Sequence, residues 1–114
     1  MNQRSRRISE MIHHEIAAIL GREMRDPRIK NVTVTAVKLA DDLGYGKIYY
    51  SVQGTEAEKK EIKEALQHAL GFFRTKLGER LDLKYVPQLK FYYDETIAHA
   101  DRMEELFRAI KSSE

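Results

Sequence analysis

The sequence predicts an α+β fold in which a mixed three-stranded sheet carries helices on one face. Three observations predict it. Residues 56–81 repeat apolar side chains at three- and four-residue steps, the period of a helix face. Residues 32–39 and 47–52 alternate instead, as strands do. A third strand-like run, residues 84–93, is separated from the second by the long helical stretch, so the connection is a crossover of the kind that joins a parallel pair.

The first element is a helix over about residues 5–25, with Ile8, Ile12, Ile16, Ile19 and Leu20 as its buried stripe and Met11 and Met24 beside it. Asp26-Pro27 is expected to end it, because a residue before proline is pushed out of helical angles. In the first strand Val32, Val34 and Ala36 share one face, while Val37 and Leu39 fall on the opposite phase. That slip predicts a bulge near Ala36 or Val37. Residues 41–46 supply turn chemistry, and the second strand then places Ile48, Tyr50 and Val52 inward and Lys47, Tyr49 and Ser51 outward, completing a hairpin.

The central stripe consists of Ile62, Ala65, Leu66, Ala69, Leu70, Phe73, Leu77 and Leu81. As one straight helix it would be roughly 39 Å long, more than the diameter of about 34 Å expected for a compact chain of this size. Gly71 sits mid-stripe and is the interior residue freest to leave helical angles, so a kink is expected there between two helices. A kink frees N–H groups at the start of the second helix, where the dipole favours an anion such as phosphate. A packing glycine that lets another backbone approach is the alternative.

In the third strand Leu89, Phe91 and Tyr93 face one way and Lys90 and Tyr92 the other, and Pro87 marks an edge or an irregular start. The outer sheet face then carries Thr33, Thr35, Tyr49, Ser51 and Tyr92, aromatics that can stack bases but are also ordinary strand formers. A final packing helix is expected over about residues 96–111, from Ile97, Ala100, Met103, Phe107 and Ile110 at helical spacing.

The 114 residues fit a single domain spanning 1–114 with one core. With no cysteine, the chain has no disulfide, cysteine nucleophile or thiolate metal site. No apolar run approaches a membrane span and no signal-peptide core follows the basic start, so a cytoplasmic protein is expected. The net charge of +2 hides an asymmetry: residues 1–30 hold seven basic residues (Arg4, Arg6, Arg7, Arg22, Arg25, Arg28 and Lys30) against four acidic ones. A basic amino-terminal third suits a polyanion, although Arg22, Arg25, Arg28 and Lys30 would also complement the negative end of the first helix.

Catalytic chemistry finds no footing. His13 and His14 are adjacent and so point about 100° apart on a helix, without the i, i+4 partner of a helical metal site. His68 stands alone, and the acids near His99 read as caps. There is no nucleophile elbow, phosphate loop, dinucleotide fingerprint or zinc spacing. No cofactor, metal or small-molecule substrate is expected.

The chain resembles the ribosome-binding factor A family, bacterial small-subunit assembly factors with a type II KH-like fold. The resemblance is carried by Glu15-Ile16-Ala17 with Ile19-Leu20, Asp26-Pro27-Arg28, Val32-Thr33-Val34 with Val37, Asp42-Leu43 and Lys47-Ile48-Tyr49. It continues through Ala69-Leu70-Gly71-Phe72 with Arg74 and Leu77, and Val86-Pro87-Gln88-Leu89 with Phe91 and Asp94. In that family an Ala-x-Gly kink replaces the GxxG loop of ordinary KH domains, and Ala69 and Gly71 match it. Ala100 departs from the glycine usual ahead of Arg102-Met103, and the longer charged tail of many members is missing. The resemblance implies a monomeric, non-catalytic RNA-binding protein that binds immature small ribosomal subunits through rRNA. It further implies a role in late maturation, including the rRNA 5′ end, with importance for growth in the cold. Ala69, Gly71, Arg74 and Lys76, with Arg4, Arg6, Arg7, Arg22, Arg25, Arg28 and Lys30, are the candidate RNA contacts. A protein-interaction module meeting an acidic partner is the rival reading.

Overall fold

In the computed structural model, residues 1–24, 26–29, 31–96, 103 and 106–110 are described. Helix α1 spans Gln3–Arg22, a 3₁₀ turn spans Pro27–Ile29, and strands β1 (Thr33–Leu39) and β2 (Tyr45–Ser51) form the hairpin. Helices α2 (Glu56–His68) and α3 (Leu70–Leu81) lead to strand β3 (Gln88–Tyr93). The sheet order is β1-β2-β3, antiparallel between the first pair and parallel between the second, as the crossover requires.

Helix α1 begins two residues earlier than its apolar stripe indicates. Asn2 is the N-cap, its side chain accepting from the Ser5 N–H at 2.8 Å, while its own N–H donates to Asp41 in the hairpin turn at 2.9 Å. The helix also ends early, with Glu23 as C-cap rather than at Asp26-Pro27. Gly21 weakens the last turn, and Arg80 of α3 takes up Glu23 as an ion pair. The proline instead opens the 3₁₀ turn that buries Ile29.

The bulge is present but lies one residue before its expected place. Val34 faces Tyr50 and Ala36 faces Tyr49, so Thr35 is the extra residue, and its hydroxyl donates to Asp94 at 2.6 Å. After the bulge Val37 and Leu39 are buried, whereas Ala36 is only half-buried. The second strand starts at Tyr45, earlier than residue 47, because the turn closes over Ala40 to Gly44 with an Ala40 N–H to Tyr45 carbonyl bond of 2.8 Å. Strand β3 begins directly after Pro87, at the sheet edge, where a missing donor costs least.

The helices bury Ile12, Ile16, Ile19, Leu66, Phe73 and Leu77 against Val34, Val37, Leu39, Ile48, Tyr50, Val52, Leu89 and Phe91. Phe73 packs on Phe91 with ring centroids 5.4 Å apart. Of the expected packing helix at the carboxy end, Ile97, Ala100 and Lys111 lie outside the described residues. The described Met103, Phe107 and Ile110 are helical but 39%, 58% and 48% exposed, so these three do not join the core.

Candidate nucleic-acid interface

The helix break falls at Ala69, not at Gly71. Ala69 caps both helices at φ −84° and ψ −5°, its N–H bonded to the Ala65 carbonyl at 3.0 Å, and Phe73 N–H already bonds Ala69 at 3.1 Å. Between them the ladder lapses, with no backbone bond tying Leu70 or Phe72 back to α2. No side chain caps the start of α3. Gly71 is the second residue of α3, is exposed, and needs no left-handed angle. A Cβ built on it meets nothing within 4 Å, so it is not a packing glycine. What the sequence expects of Gly71 is thus divided: Ala69 supplies the bend, and Gly71 supplies bare backbone beside the unpaired donors.

Two candidate cations near the break are engaged within the fold. Arg74 donates from Nε to the Pro87 carbonyl at 3.2 Å and from Nη2 to the Val86 carbonyl at 3.1 Å, which makes it a tie rather than a free phosphate contact. Lys76 lies 3.9 Å from Glu79 and 5.7 Å from the centroid of the Phe72 ring.

The basic amino-terminal third is not one patch. Arg4, Arg6 and Arg7 are exposed on the first turns of α1, and Arg22 is exposed at its last residue, so a helix of this length holds the two groups more than about 20 Å apart. Arg28 is clamped by Asp26, with Nη2 2.7 Å from Oδ2 and Nε 3.0 Å from Oδ1. Hydrogen bonds from the Arg28 side chain and N–H hold the Asp26 carboxyl below its ordinary value, and Asp26 raises Arg28 in turn. Arg25 and Lys30 lie outside the described residues. Arg80, absent from the candidate set, is spent on Glu23 and, at 3.5 Å, Glu15.

A basic surface that the sequence left unassembled lies on the sheet face away from the helices. Register aligns Lys38 with Lys47 and Lys47 with Lys90, one lysine per strand, and all three are exposed. Tyr49 and Tyr92 occupy the neighbouring rung, their centroids 5.9 Å apart. The Tyr45 and Tyr92 hydroxyls meet at 2.8 Å, a bond that raises the Tyr45 pKa above the ordinary phenol value. Outward alternation of Lys47, Tyr49, Lys90 and Tyr92 was readable from period two. Their alignment across strands depends on register, which a single strand does not encode.

The histidines do not converge. His13 Nε2 lies 3.0 Å from the Val34 carbonyl, His14 and His68 are exposed at separate places, and His99 lies outside the described residues. Among the described residues no three His, Asp or Glu side chains group as metal ligands, and no helix is long and apolar enough to cross a membrane.

Comparison with known proteins agrees with this architecture. The family model for ribosome-binding factor A matches residues 4–107. The ribosome-binding factor A of Halothermothrix orenii is 41% identical over 112 residues, covering 98% of this chain and 92% of its own. The crystal structure of ribosome-binding factor A from Thermus thermophilus superposes with a TM-score of 0.69 at 22% identity, over 78% of this chain and 93% of that one, a likeness of fold. A homology model of the Thermus thermophilus factor, fitted into a cryo-electron-microscopy map of its 30S complex, superposes with a TM-score of 0.56 at 25% identity, over 72% of this chain and 90% of that one. With the helix break, the mixed sheet and the match along nearly its whole length, the chain belongs to the ribosome-binding factor A family.

Proposed function

We propose that this chain is a single-domain, KH-like ribosome assembly factor that binds immature small ribosomal subunits through their rRNA. It assists late small-subunit maturation, including processing of the rRNA 5′ end, without catalysing cleavage. The observation that carries the reading is family membership over residues 4–107, joined to a relative that is described in a 30S complex. The break at Ala69 supports it physically: unpaired N–H groups at the positive end of α3, next to a glycine with no side chain, suit a phosphate brought close to the backbone. The exposed Arg4, Arg6, Arg7 and Arg22 add sequence-independent attraction that positions the protein on rRNA, while rRNA shape and ribosomal context supply the specificity.

Co-sedimentation with purified immature and mature small subunits tests the reading. Binding that prefers immature subunits and weakens steeply with salt is expected. Equal failure to bind both, with tight binding to an acidic protein instead, would favour the interaction-module alternative.

A further inference from the structure

We propose that the open sheet face is a second RNA-binding surface, one that takes single-stranded RNA along the Lys38–Lys47–Lys90 row and its flanking tyrosines. The inference goes beyond the helix-break surface, since that break belongs to the helical layer on the other side of the sheet.

The argument begins with a cost. Lysines directly opposite one another on neighbouring strands repel, and here two such pairs share Lys47. Lysine on an edge strand has a separate use in blocking edge-to-edge pairing, which could account for Lys38 on β1 and Lys90 on β3. It cannot account for Lys47, because β2 is the central strand. No carboxylate stands among the strand residues of this face to offset the row; Asp94, just beyond β3, is engaged by the Thr35 hydroxyl. A polyanion laid along the row would remove the repulsion.

The aromatic residues narrow the polyanion to a nucleic acid with accessible bases. Tyr92 lies two residues beyond Lys90, and Tyr49 two beyond Lys47, so the ring rung and the ammonium rung are about 7 Å apart along the strands. Tyr45 lies on the other side of the lysine row, its hydroxyl bonded to that of Tyr92. The Lys47 and Lys90 ammonium groups each lie 5.5 Å from the Tyr92 centroid, and Lys38 lies 5.6 Å from that of Tyr49. Charges that track a backbone beside rings that stack bases are the two parts of a single-strand binding platform. An acidic protein segment would use the lysines but has no bases to stack on the rings.

The test measures binding of oligouridylate to the full chain across a salt series, for wild type, for the triple variant Lys38→Gln/Lys47→Gln/Lys90→Gln, and for Tyr92→Leu. Loss of three phosphate contacts should reduce the log–log salt slope by about 2. Loss of a stacking ring should weaken binding by roughly fivefold or more with the slope retained. Thermal unfolding is recorded alongside, and the triple variant should melt no lower than wild type at low salt because repulsion has been relieved. An unchanged slope in the folded triple variant overturns the proposal, as does poly-glutamate competing as well as RNA. Subunit co-sedimentation of wild type runs in parallel: subunit binding without oligouridylate binding sinks the sheet platform alone, and the reverse sinks only the proposed function.

Discussion

The Arg74 guanidinium donates its Nε–H to the carbonyl of Pro87 at 3.2 Å, tying α3 to the segment that leads into β3. A second bond reaches Val86 at 3.1 Å, so two carbonyls depend on one side chain. Arg74→Met keeps the aliphatic stem and removes both donors, and should cost about 1–2 kcal/mol of stability in urea denaturation. The salt slope of subunit binding should stay as it is. A reduced slope at unchanged stability would return Arg74 to the phosphate contacts.

Gly46 is the packing glycine that the sequence led one to seek at Gly71. It is buried in β2, paired with Leu39 and Leu89, and an added Cβ would collide with Leu39 Cδ2 and come within 3.0 Å of Leu89 Cδ2. Gly46→Ala should therefore overpack the core and cost about 1–3 kcal/mol. A midpoint equal to wild type in chemical denaturation would mean that the two leucines turn aside freely.

The Asp26–Arg28 clamp makes a prediction in pH. Because the folded Asp26 pKa lies below its ordinary value of 3.8, its contribution to stability is present above that value and is lost as pH falls through the depressed one. The pair is on the surface, so the effect on stability is small. The direct reading is an NMR titration of the Asp26 carboxyl, which should move up toward its ordinary value in Arg28→Ala. No movement would show that the Arg28 side chain is not the cause.

Much of the fold was legible because burial imposes a period. Ile12, Ile16 and Ile19 on α1, and Ile48, Tyr50 and Val52 on the hairpin, are buried as the spacing required. The phase slip between Val34 and Val37 announced the bulge, though only pairing with Tyr49 and Tyr50 placed it on Thr35. What stayed hidden depends on contacts distant in sequence. Arg74 read as a free cation until the Val86 and Pro87 carbonyls were brought beside it, and nothing local marked Arg80 as the partner of Glu23. The weakest helix propensity points to Gly71, yet a local bend at Ala69 interrupts the ladder without any left-handed angle, so glycine's special freedom was not needed. Of the lysine row only Lys47 and Lys90 were legible, as two unrelated outward positions; Lys38 joins them through the register that follows the bulge.

The most direct test of the helix-break account is Gly71→Val, with unfolding and immature-subunit binding measured on one preparation. Because a Cβ at this position meets nothing within 4 Å and the residue is already helical, valine should leave the melting temperature equal or slightly higher. Its branched side chain would crowd the bare backbone to which the proposed function brings a phosphate, so affinity for the immature subunit should fall at unchanged stability. Wild-type affinity in the folded variant would contradict the assignment of this break to rRNA.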